Sequence, residues 1–514
     1  MDHEYFTKPI ESHAKKNNRA PFLVSSENQT LFYSDVLDFA RELKKTFVGL
    51  DVGNSSPILV HLPRSVEQAL LVASLLYLGY PTLLLPSETK WHDFERLFKK
   101  YPFSAVMSLP GFANRIESEN LIEPPIPFVR HDLNCLQTKI SILKMPSQLE
   151  DPILEASWFL MTSGSTGVPK IVVLDQKNLI ERTQGEIDLF CIEESDSLLN
   201  VLPFHHDLGL NQLMTALVTG SSFELVNNWL PVDLARKITA TKKLAVTGMP
   251  SIWESLLKIF THESSRVEAE GYLTVSGGSL NPQNLLQLQK AFPRARILKT
   301  YGQTETFRTF AQTDQDSILE ENCGSPIRGV EILLLNESQQ PCAPGEVGQL
   351  VHFGSGTMQG YWLSPLETES KMTRWKNWHP DQVDRRGVLT GDYFKIVDSN
   401  RFKFMGRRDD LVKVNGHRFH TGEVEHCLRS YEAVADACVL CVDGDEIGLL
   451  DKRLIAFVVP KFEQEVHAEE ILNYCAKQLA SFKVPQEIFF RKQLPLTSNF
   501  KVDRMALLKS IEGN

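Results

Sequence analysis

The stretch "TSGSTGVPK", residues 162–170, combines two glycines, four hydroxyl side chains, a proline and a lysine. Glycines let backbone N–H groups turn inward on an anion, hydroxyls add donors, and a lysine adds positive charge. The spacing differs from a kinase-type phosphate loop, G-x-x-x-x-G-K-[ST], because Gly164 and Gly167 are three residues apart and no hydroxyl follows Lys170. The stretch therefore predicts a phosphate cradle of another kind.

Three more stretches with polar side chains beside turn residues follow in the chain. They are "YGQTET" at residues 301–306, "TGDYFKIVDSNRFKFMGRRDD" at residues 390–410 and "PLTSNFKVDR" at residues 495–504. In this order and at these distances, the four stretches resemble those of the adenylate-forming superfamily. That superfamily includes acyl-CoA synthetases, peptide-synthetase adenylation domains and luciferase-like enzymes. The resemblance extends from about residue 20 to residue 510.

The resemblance implies a reaction in which a carboxylate attacks the α-phosphate of ATP, giving an acyl-AMP and pyrophosphate. The acyl group then passes to a thiol, that of CoA or of the phosphopantetheine arm of a carrier protein. Because two anions must approach each other, we expect catalysis by positioning and charge neutralisation. By resemblance, the first stretch holds the β- and γ-phosphates through Thr162, Ser163, Gly164, Ser165, Thr166, Gly167 and Lys170.

The second stretch is similar to the superfamily motif that contacts the nucleotide. The resemblance places Tyr301, followed by Gly302, against the adenine, and makes Thr304 a donor to the α-phosphate. Glu305 is the implied Mg²⁺ ligand, since Mg²⁺ keeps several waters and bridges phosphate oxygens beside one or two carboxylates. The turn "SGGSL" is similar to the one that lines the adenine and acyl pocket, through Gly277, Gly278 and Ser279.

The last two stretches imply contacts with the ribose and the reacting groups. Asp392 matches the acid that accepts hydrogen bonds from the ribose hydroxyls, a role that suits an acceptor-only carboxylate. Arg407 matches the arginine that contacts ribose or phosphate, and Lys501 matches the lysine that reaches the α-phosphate and the attacking carboxylate. Two positions depart from the usual pattern, because Phe500 and Ile171 stand where relatives have glycine.

The resemblance also divides the chain. We expect an N-terminal domain at residues 1–407, with a β-rich subdomain at residues 323–407, and a mobile C-terminal domain at residues 408–514. Asp409 matches the hinge about which the small domain of relatives rotates after adenylation. Lys413 and the "NGHR" stretch at residues 415–418 would then line a tunnel for the thiol arm.

The substrate is indicated by "PFHHDLGL", residues 203–210. His206 matches the gate between the carboxylate site and the thiol tunnel. Phe204 aligns with the aspartate that pairs with an α-amine in peptide synthetases, which favours an acid without an α-amine, such as a medium or long aliphatic acid. His205 is interpreted as a packed or capping residue. Asp207 aligns with an acid of fatty acyl-AMP ligases, and a shift of three residues would make it an amine partner instead.

Three functions therefore remain open: an acid–thiol ligase, a stand-alone enzyme that loads an amino acid onto a carrier protein, and a degenerate member that binds nucleotide without catalysis. The degenerate member is disfavoured because the chain retains the groups that the chemistry needs. These groups are Lys170, Glu305, Asp392, Arg407 and Lys501.

Composition sets the limits within which these motifs act. A chain of 514 residues predicts more than one domain, and 42% hydrophobic with 23% charged residues is typical of a soluble enzyme. The formal net charge of −10 disfavours nucleic acid as a partner. The N-terminus has no apolar core for a signal peptide. Gly79 to Pro81 interrupt the long apolar run at residues 69–86, which predicts a buried helix followed by a buried strand and not a membrane span. We therefore expect a cytoplasmic protein. The eight cysteines predict reduced thiols, since Cys438 and Cys441 lie in a strand pattern.

The elements that must hold these residues follow from periodicity. Helical patterns alternate with short apolar runs up to about residue 250, which predicts helix-flanked, mostly parallel sheets. Successive hairpin patterns after Gly324 predict a small β-barrel-like subdomain. Mixed strand and helix patterns after Arg408 predict a small α+β unit. The fold class is thus α/β with a small C-terminal α+β domain.

Overall fold

The chain has the α/β architecture that its sequence predicts. The computed structural model describes residues 4–512 except 17–20, 26–28, 120–128, 137, 146–156, 163–169, 227–229, 261–265, 313–317, 321, 376–384, 399–400, 408–410, 415–416, 444–451, 462–465 and 497–501.

The helices of the described residues, in chain order, are α1 (Glu4–Lys16), α2 (Tyr33–Leu50), α3 (Val66–Leu78), α4 (Trp91–Lys100), α5 (Pro110–Ser118), α6 (Gln176–Phe190), α7 (Asp207–Thr219), α8 (Pro231–Ala240), α9 (Pro250–Leu257), α10 (Pro282–Ala291), α11 (Pro365–Lys371), α12 (Thr421–Ser430), α13 (Ala468–Gln478) and α14 (Arg504–Glu512).

The strands, in chain order, are β1 (Pro21–Ser25), β2 (Thr30–Phe32), β3 (Ile58–His61), β4 (Thr82–Leu84), β5 (Ala105–Ser108), β6 (Val129–Cys135), β7 (Thr138–Lys144), β8 (Ser157–Thr162), β9 (Lys170–Asp175), β10 (Ser197–Asn200), β11 (Ser222–Leu225), β12 (Lys243–Gly248), β13 (Glu270–Val275), β14 (Ala295–Tyr301), β15 (Phe310–Ala311), β16 (Ser325–Pro326), β17 (Val330–Leu335), β18 (Val347–Gly354), β19 (Gly360–Tyr361), β20 (Met372–Trp375), β21 (Arg385–Ile396), β22 (Phe402–Arg407), β23 (Leu411–Val414), β24 (His417–His420), β25 (Val434–Asp443), β26 (Lys452–Pro460) and β27 (Glu487–Phe490).

The first sheet contains the strands that lead into the candidate site. Its order is β16-β15-β14-β13-β12-β10-β11-β1-β2, and the strands from β14 to β1 run parallel. Parallel strands point their carboxyl ends at one edge of a sheet, and loops at that edge commonly carry ligand sites. The segments after β10, β12, β13 and β14 therefore meet at the same edge.

The second sheet has the order β19-β9-β8-β4-β3-β5-β7-β6, with β3, β4, β5 and β8 parallel. One apolar cluster joins it to the first sheet, because Leu23 and Phe223 of the first sheet and Val60 and Trp158 of the second sheet belong to the same buried core. Helices α2, α3, α6 and α7 add residues to this core.

The long apolar run of the sequence folds as predicted, into buried helix α3 followed by buried strand β4. Ser65 caps the start of α3, since its hydroxyl accepts a hydrogen bond from the Gln68 backbone N–H at 3.2 Å. Gly79 ends the helix with φ of 72°, a left-handed conformation that costs glycine little.

The remaining strands form antiparallel sheets. β17, β18, β21 and β20 pair in that order, and β22 pairs with β21. The end strands β17 and β20 do not pair with each other within the described residues, so this sheet is open. Beyond it lie the hairpin β23-β24 and the sheet β25-β26-β27 with α12, α13 and α14, the α+β mixture that the sequence predicts.

The cysteines are free, as predicted. Cys438 packs in one apolar cluster of the C-terminal sheet and Cys441 lies against the other, so the two point to opposite faces of β25. Within the described residues, no helix combines the length and the apolar character that a membrane crossing requires.

Candidate active site

Two of the sequence motifs meet at Tyr361, a residue to which the sequence analysis assigned no role. The Tyr361 hydroxyl donates to Oε1 of Glu305 at 2.7 Å, and Nζ of Lys170 lies 5.2 Å from the centre of the Tyr361 ring. Strand β19 holds this arrangement, because Tyr361 pairs with Val172 of β9 two residues beyond Lys170. The candidate phosphate lysine and the candidate metal ligand are thus neighbours.

Glu305 has the features of a ligand for one divalent cation. Tyr361 occupies its Oε1, and no partner of Oε2 is found in the part of the chain that the structure describes. Burial, and then the Glu305 carboxylate, raise the pKa of Tyr361, so that its hydroxyl stays a donor. A single carboxylate suits an ion such as Mg²⁺, which binds one or two protein carboxylates beside phosphate oxygens and water.

A second polar cluster forms around Asp392, which is only 2% exposed. Its Oδ2 accepts hydrogen bonds from the Tyr301 hydroxyl at 2.6 Å and from the Gln303 amide at 2.8 Å. Arg407 lies directly across β21 and β22 from Asp392, with Nε 3.3 Å from Oδ1. The predicted ribose ligand is therefore a buried carboxylate with one oxygen bound by two donors and the other facing an arginine.

Tyr301 ends β14 and belongs to the Asp392 cluster. Burial, and then the Asp392 carboxylate, raise its pKa well above the usual value, so it remains a hydrogen-bond donor. Its ring packs edge-on against Phe394, with centroids 4.9 Å apart. This packing and the Asp392 hydrogen bond fix the ring beside the exposed Gly302.

The glycines of the site allow close backbone approach. A Cβ on Gly302 would stand 2.6 Å from the Phe307 carbonyl oxygen, and one on Gly277, whose φ is +75°, would stand 2.9 Å from the Met249 side chain. Gly277, Gly278 and Ser279 are exposed at the end of β13, next to β14. The turn "SGGSL" therefore lies beside "YGQTET", as the sequence reasoning requires.

The segment after β10 brings His205, His206 and Asp207 to the same edge. His206 precedes the first turn of α7, and the Asp207 carboxylate accepts from the Leu208 N–H at 2.8 Å. Burial, and then the His206 ring, lower the pKa of His205 to about 3, so His205 is neutral. Its Nε2 has no hydrogen-bond partner among the described residues, which makes it an additional candidate ligand for a substrate.

The side chain of Phe204 is buried, whereas the sequence alignment predicted that it would face the acid. Its side chain is 1% exposed and belongs to the buried core, with the Phe223 ring centroid 6.0 Å from its own. The expectation that Phe204 faces the acid is therefore wrong. Which side chain of a turn before a helix is buried could not be derived from the sequence.

Several predicted site residues lie outside the described residues. Thr162 and Lys170 are described, with the Thr162 hydroxyl 3.4 Å from the Lys170 carbonyl oxygen across β8 and β9. For Lys413 only the backbone is described, in β23. The residues outside the description are Ser163, Gly164, Ser165, Thr166, Gly167, Asp409, residues 415–416, Phe500 and Lys501.

A lysine and a carboxylate beside Tyr361, together with a buried aspartate bound by Tyr301 and Gln303, are groups that a nucleotide site requires. The chain matches the AMP-binding enzyme family over residues 10–362 and the AMP-binding enzyme C-terminal domain over residues 423–501. Because the first match covers more than half of the 514 residues, the chain belongs to the adenylate-forming AMP-binding enzyme family.

Two peptide synthases are among the proteins whose sequences are similar to this chain. Tyrocidine synthase 3 from Brevibacillus parabrevis is 25% identical over 97% of this chain, and a dimodular nonribosomal peptide synthase from Bacillus subtilis is 27% identical over 94% of it. This chain covers only 8% and 20% of those two proteins.

Among solved structures, ATP-bound MatB from Rhodopseudomonas palustris has a TM-score of 0.84 at 18% identity, and the match covers 100% of this chain and 99% of the MatB chain. O-succinylbenzoate coenzyme A synthetase from Bacillus subtilis, bound to ATP and magnesium, has a TM-score of 0.78 at 21% identity, with 97% and 99% covered. At these identities the likeness is one of fold, and it confirms the predicted fold class.

Proposed function

We propose that the protein activates a carboxylic acid with ATP, forming an acyl-AMP and pyrophosphate, and then transfers the acyl group to the thiol of CoA or of a carrier-protein phosphopantetheine. The observation that carries the proposal is the contact of Tyr361 with both Lys170 and Glu305, which joins two nucleotide motifs at one point. Family membership supports it, and so does a fold shared with two proteins solved with ATP, one of them also with magnesium.

In the first half-reaction a carboxylate oxygen attacks the α-phosphorus, and the bond to the bridging oxygen breaks as pyrophosphate leaves with the electron pair. Lys170, Thr162 and residues 163–167 hold the departing phosphates, and Thr304 donates to the α-phosphate. Mg²⁺ would offset the negative charge of the phosphate oxygens. Glu305 would hold that ion, while the Tyr361 hydroxyl orients the carboxylate through Oε1.

The nucleoside would lie between the two polar clusters. Tyr301 presents its ring to the adenine beside Gly302, and the exposed turn of Gly277, Gly278 and Ser279 lines the other side. Because Tyr301 and Gln303 already donate to Oδ2 of Asp392, the ribose hydroxyls bind Oδ1, which faces Arg407.

The transfer step uses the C-terminal part of the chain. We propose that residues 1–407, including the β-rich residues 323–407, bind ATP and the acid, and that residues 408–514 rotate about Asp409. Lys501 would contact the α-phosphate and the acid during adenylation. After rotation, Lys413 and residues 415–418 would line the path of the thiol, and His206 would act as the gate to it.

A second candidate function is the loading of an amino acid onto a carrier protein. The observation in its favour is that tyrocidine synthase 3 and the dimodular peptide synthase match nearly the whole chain. Burying an α-ammonium without a carboxylate would cost several kcal/mol. In the segment at residues 203–210, Asp207 is the carboxylate that could pair with it.

ATP–pyrophosphate exchange with octanoate, 2-aminooctanoate and benzoate separates these functions. We expect the fastest exchange with octanoate and, with CoA or a phosphopantetheinylated carrier protein added, thioester formation. Faster exchange with 2-aminooctanoate, lost in Asp207→Asn, would establish the second function. No exchange with any acid, combined with retained AMP binding, would contradict both functions and leave a nucleotide-binding protein without catalysis.

A further inference from the structure

The side chain of Arg64 reaches from one sheet to the functional edge of the other. Arg64 lies between β3 of the second sheet and α3, but its guanidinium binds the ends of strands in the first sheet. Nε donates to the Leu202 carbonyl at 3.2 Å, Nη1 to the Val226 carbonyl at 2.6 Å, and Nη2 to the carbonyl and the side-chain oxygen of Asn200, both at 2.5 Å.

These acceptors are neutral, and no carboxylate pairs with Arg64 within the described residues. Burial lowers the pKa of Arg64 to about 9, which leaves the guanidinium charged at neutral pH. The planar guanidinium of an arginine has donors in three directions and can bind three carbonyl groups at once. A lysine ammonium on its flexible side chain cannot hold three carbonyl groups in the same positions. The charge is thus held by backbone carbonyls at the ends of β10 and β11.

The same contacts enclose the segment that carries His205 and His206. Leu202 immediately precedes that segment, and the guanidinium carbon lies 6.0 Å from the centre of the Phe204 ring. Asn200 also donates to Oε1 of Gln212 in α7 at 3.0 Å, so the network continues past the segment into the following helix. Arg64 therefore binds the backbone before the His205–His206 turn and lies near the Phe204 ring, while Asn200 links the same network to α7.

We propose that Arg64 is a positioning residue for the acid, because it sets the place of the His205–His206 turn without touching the substrate. This inference rests on the proposed function, in which residues 203–210 border the acid. The nucleotide contacts arise from β9, β14, β19 and β21, which Arg64 does not contact among the described residues. Loss of the guanidinium should therefore affect the acid more than ATP.

The test measures pyrophosphate exchange for wild type, Arg64→Lys, Arg64→Ala and the control Arg41→Ala, which removes an exposed arginine paired with Asp38 on α2. The acid is the one among octanoate, 2-aminooctanoate and benzoate that wild type uses best. We expect KM for the acid to rise about tenfold to a hundredfold in both Arg64 variants, with KM for ATP within about twofold of wild type. Guanidinium chloride at millimolar concentration should lower the raised KM for the acid in Arg64→Ala, but not in Arg64→Lys.

The possible negative results separate an error in the role of Arg64 from an error in the proposed function. An equal rise in KM for both substrates, or unchanged KM for the acid, in an active Arg64→Lys enzyme would overturn the positioning role. If Arg64→Ala does not fold, Arg64→Lys still decides, since it retains the charge and much of the volume. If wild type shows no exchange with any of the three acids, the proposed function itself is wrong, and this inference fails with it.

Discussion

At the scale of single residues, the site depends on hydrogen bonds that orient carboxylates. Tyr361 binds one oxygen of Glu305, while Tyr301 and Gln303 bind one oxygen of Asp392. In each case a neutral donor binds one oxygen, fixes the direction of the carboxylate and leaves the second oxygen for another partner. Hydrogen bonds to a charged group contribute more than those between neutral groups.

Tyr361→Phe should raise the Mg²⁺ concentration that half-saturates pyrophosphate exchange by roughly tenfold to a hundredfold. Losing a donor to a charged acceptor costs about 1.5–3 kcal/mol, and Glu305 would no longer be held in one direction. Magnesium titration of the exchange rate measures the effect. Tyr77→Phe is a matched control, because Tyr77 donates to Glu11 at 3.0 Å away from the site; an equal change in both variants would contradict the assignment.

Asp392→Asn should raise KM for ATP by roughly tenfold to a hundredfold, since the amide replaces a charged acceptor for the ribose and turns a donor toward Arg407 or Tyr301. Initial rates over a range of ATP concentrations give this value. Asp188→Asn, which alters a surface pair with Arg328, serves as the control. An unchanged KM for ATP would show that Asp392 does not bind the ribose.

At the scale of elements, the connection from β10 to α7 is packed more tightly than its sequence indicates. A Cβ on Gly209 would stand 2.1 Å from the Pro203 carbonyl oxygen and 2.7 Å from that of Leu202. The atoms that such a Cβ would meet are backbone atoms, which cannot move aside as the end of a flexible side chain can. A shift of the first turn of α7 would therefore also shift the turn that carries His205 and His206. Glycine here permits the close approach that places His206 at the start of α7.

Gly209→Ala should lower the free energy of unfolding by about 1–3 kcal/mol, because overpacking forces the backbone to shift. The same shift should raise KM for the acid. Thermal unfolding and exchange kinetics measure the two effects. In the control Gly111→Ala, on α5, a Cβ meets nothing within 4 Å, so alanine should leave stability equal or slightly higher. Equal behaviour of the two variants would refute the close-packing argument.

At the scale of the whole molecule, the C-terminal elements meet the large N-terminal sheets near α9 and α10. Burial raises the pKa of Glu254 on α9 to about 7, and the Asp436 carboxylate on β25 adds to the rise, while Lys258, Asn284 and Arg429 oppose it. A raised carboxyl pKa means that the observed arrangement favours protonated Glu254. The arrangement is therefore most stable below the ordinary value near 4.5 and weakens as pH rises through about 7.

Thermal unfolding between pH 5.5 and 8 tests this dependence. We expect the unfolding temperature of wild type to fall as pH rises through about 7, and that of Glu254→Gln to fall less. The preference is worth about 1–3 kcal/mol, reduced by the partial exposure of Glu254. Glu268→Gln, on an exposed pair with Arg294, should behave as wild type. A pH trend that survives in Glu254→Gln would assign it to another group.

Lys501→Ala should reduce pyrophosphate exchange by about a hundredfold or more and spare thioester formation from supplied acyl-AMP. The reason is that the lysine offsets charge only in the first half-reaction of the proposed cycle. Assays of the two half-reactions, with Lys509→Ala of α14 as control, measure the difference. Near-normal exchange in Lys501→Ala would remove this lysine from the mechanism.

The sequence by itself determined the α/β class, and it predicted the residues that would carry the nucleotide chemistry. Strand and helix patterns are local, because side-chain periodicity reflects which face of an element is buried. This is why α3, β4, β25 and the hairpin strands were predicted where they occur. The motifs are short as well, so Glu305, Asp392 and Lys170 could be identified from the neighbours on either side of them.

Only the tertiary structure decided which residues support that chemistry. Tyr361 lies 56 residues from Glu305, and Arg64 lies 138 residues from Leu202, and no local pattern relates such pairs. Phe204 was placed at the acid by alignment, yet it packs in the core, because burial of a side chain depends on the direction of the backbone in a turn. Contacts between sheets are set by how whole elements pack, which periodicity along the chain does not encode.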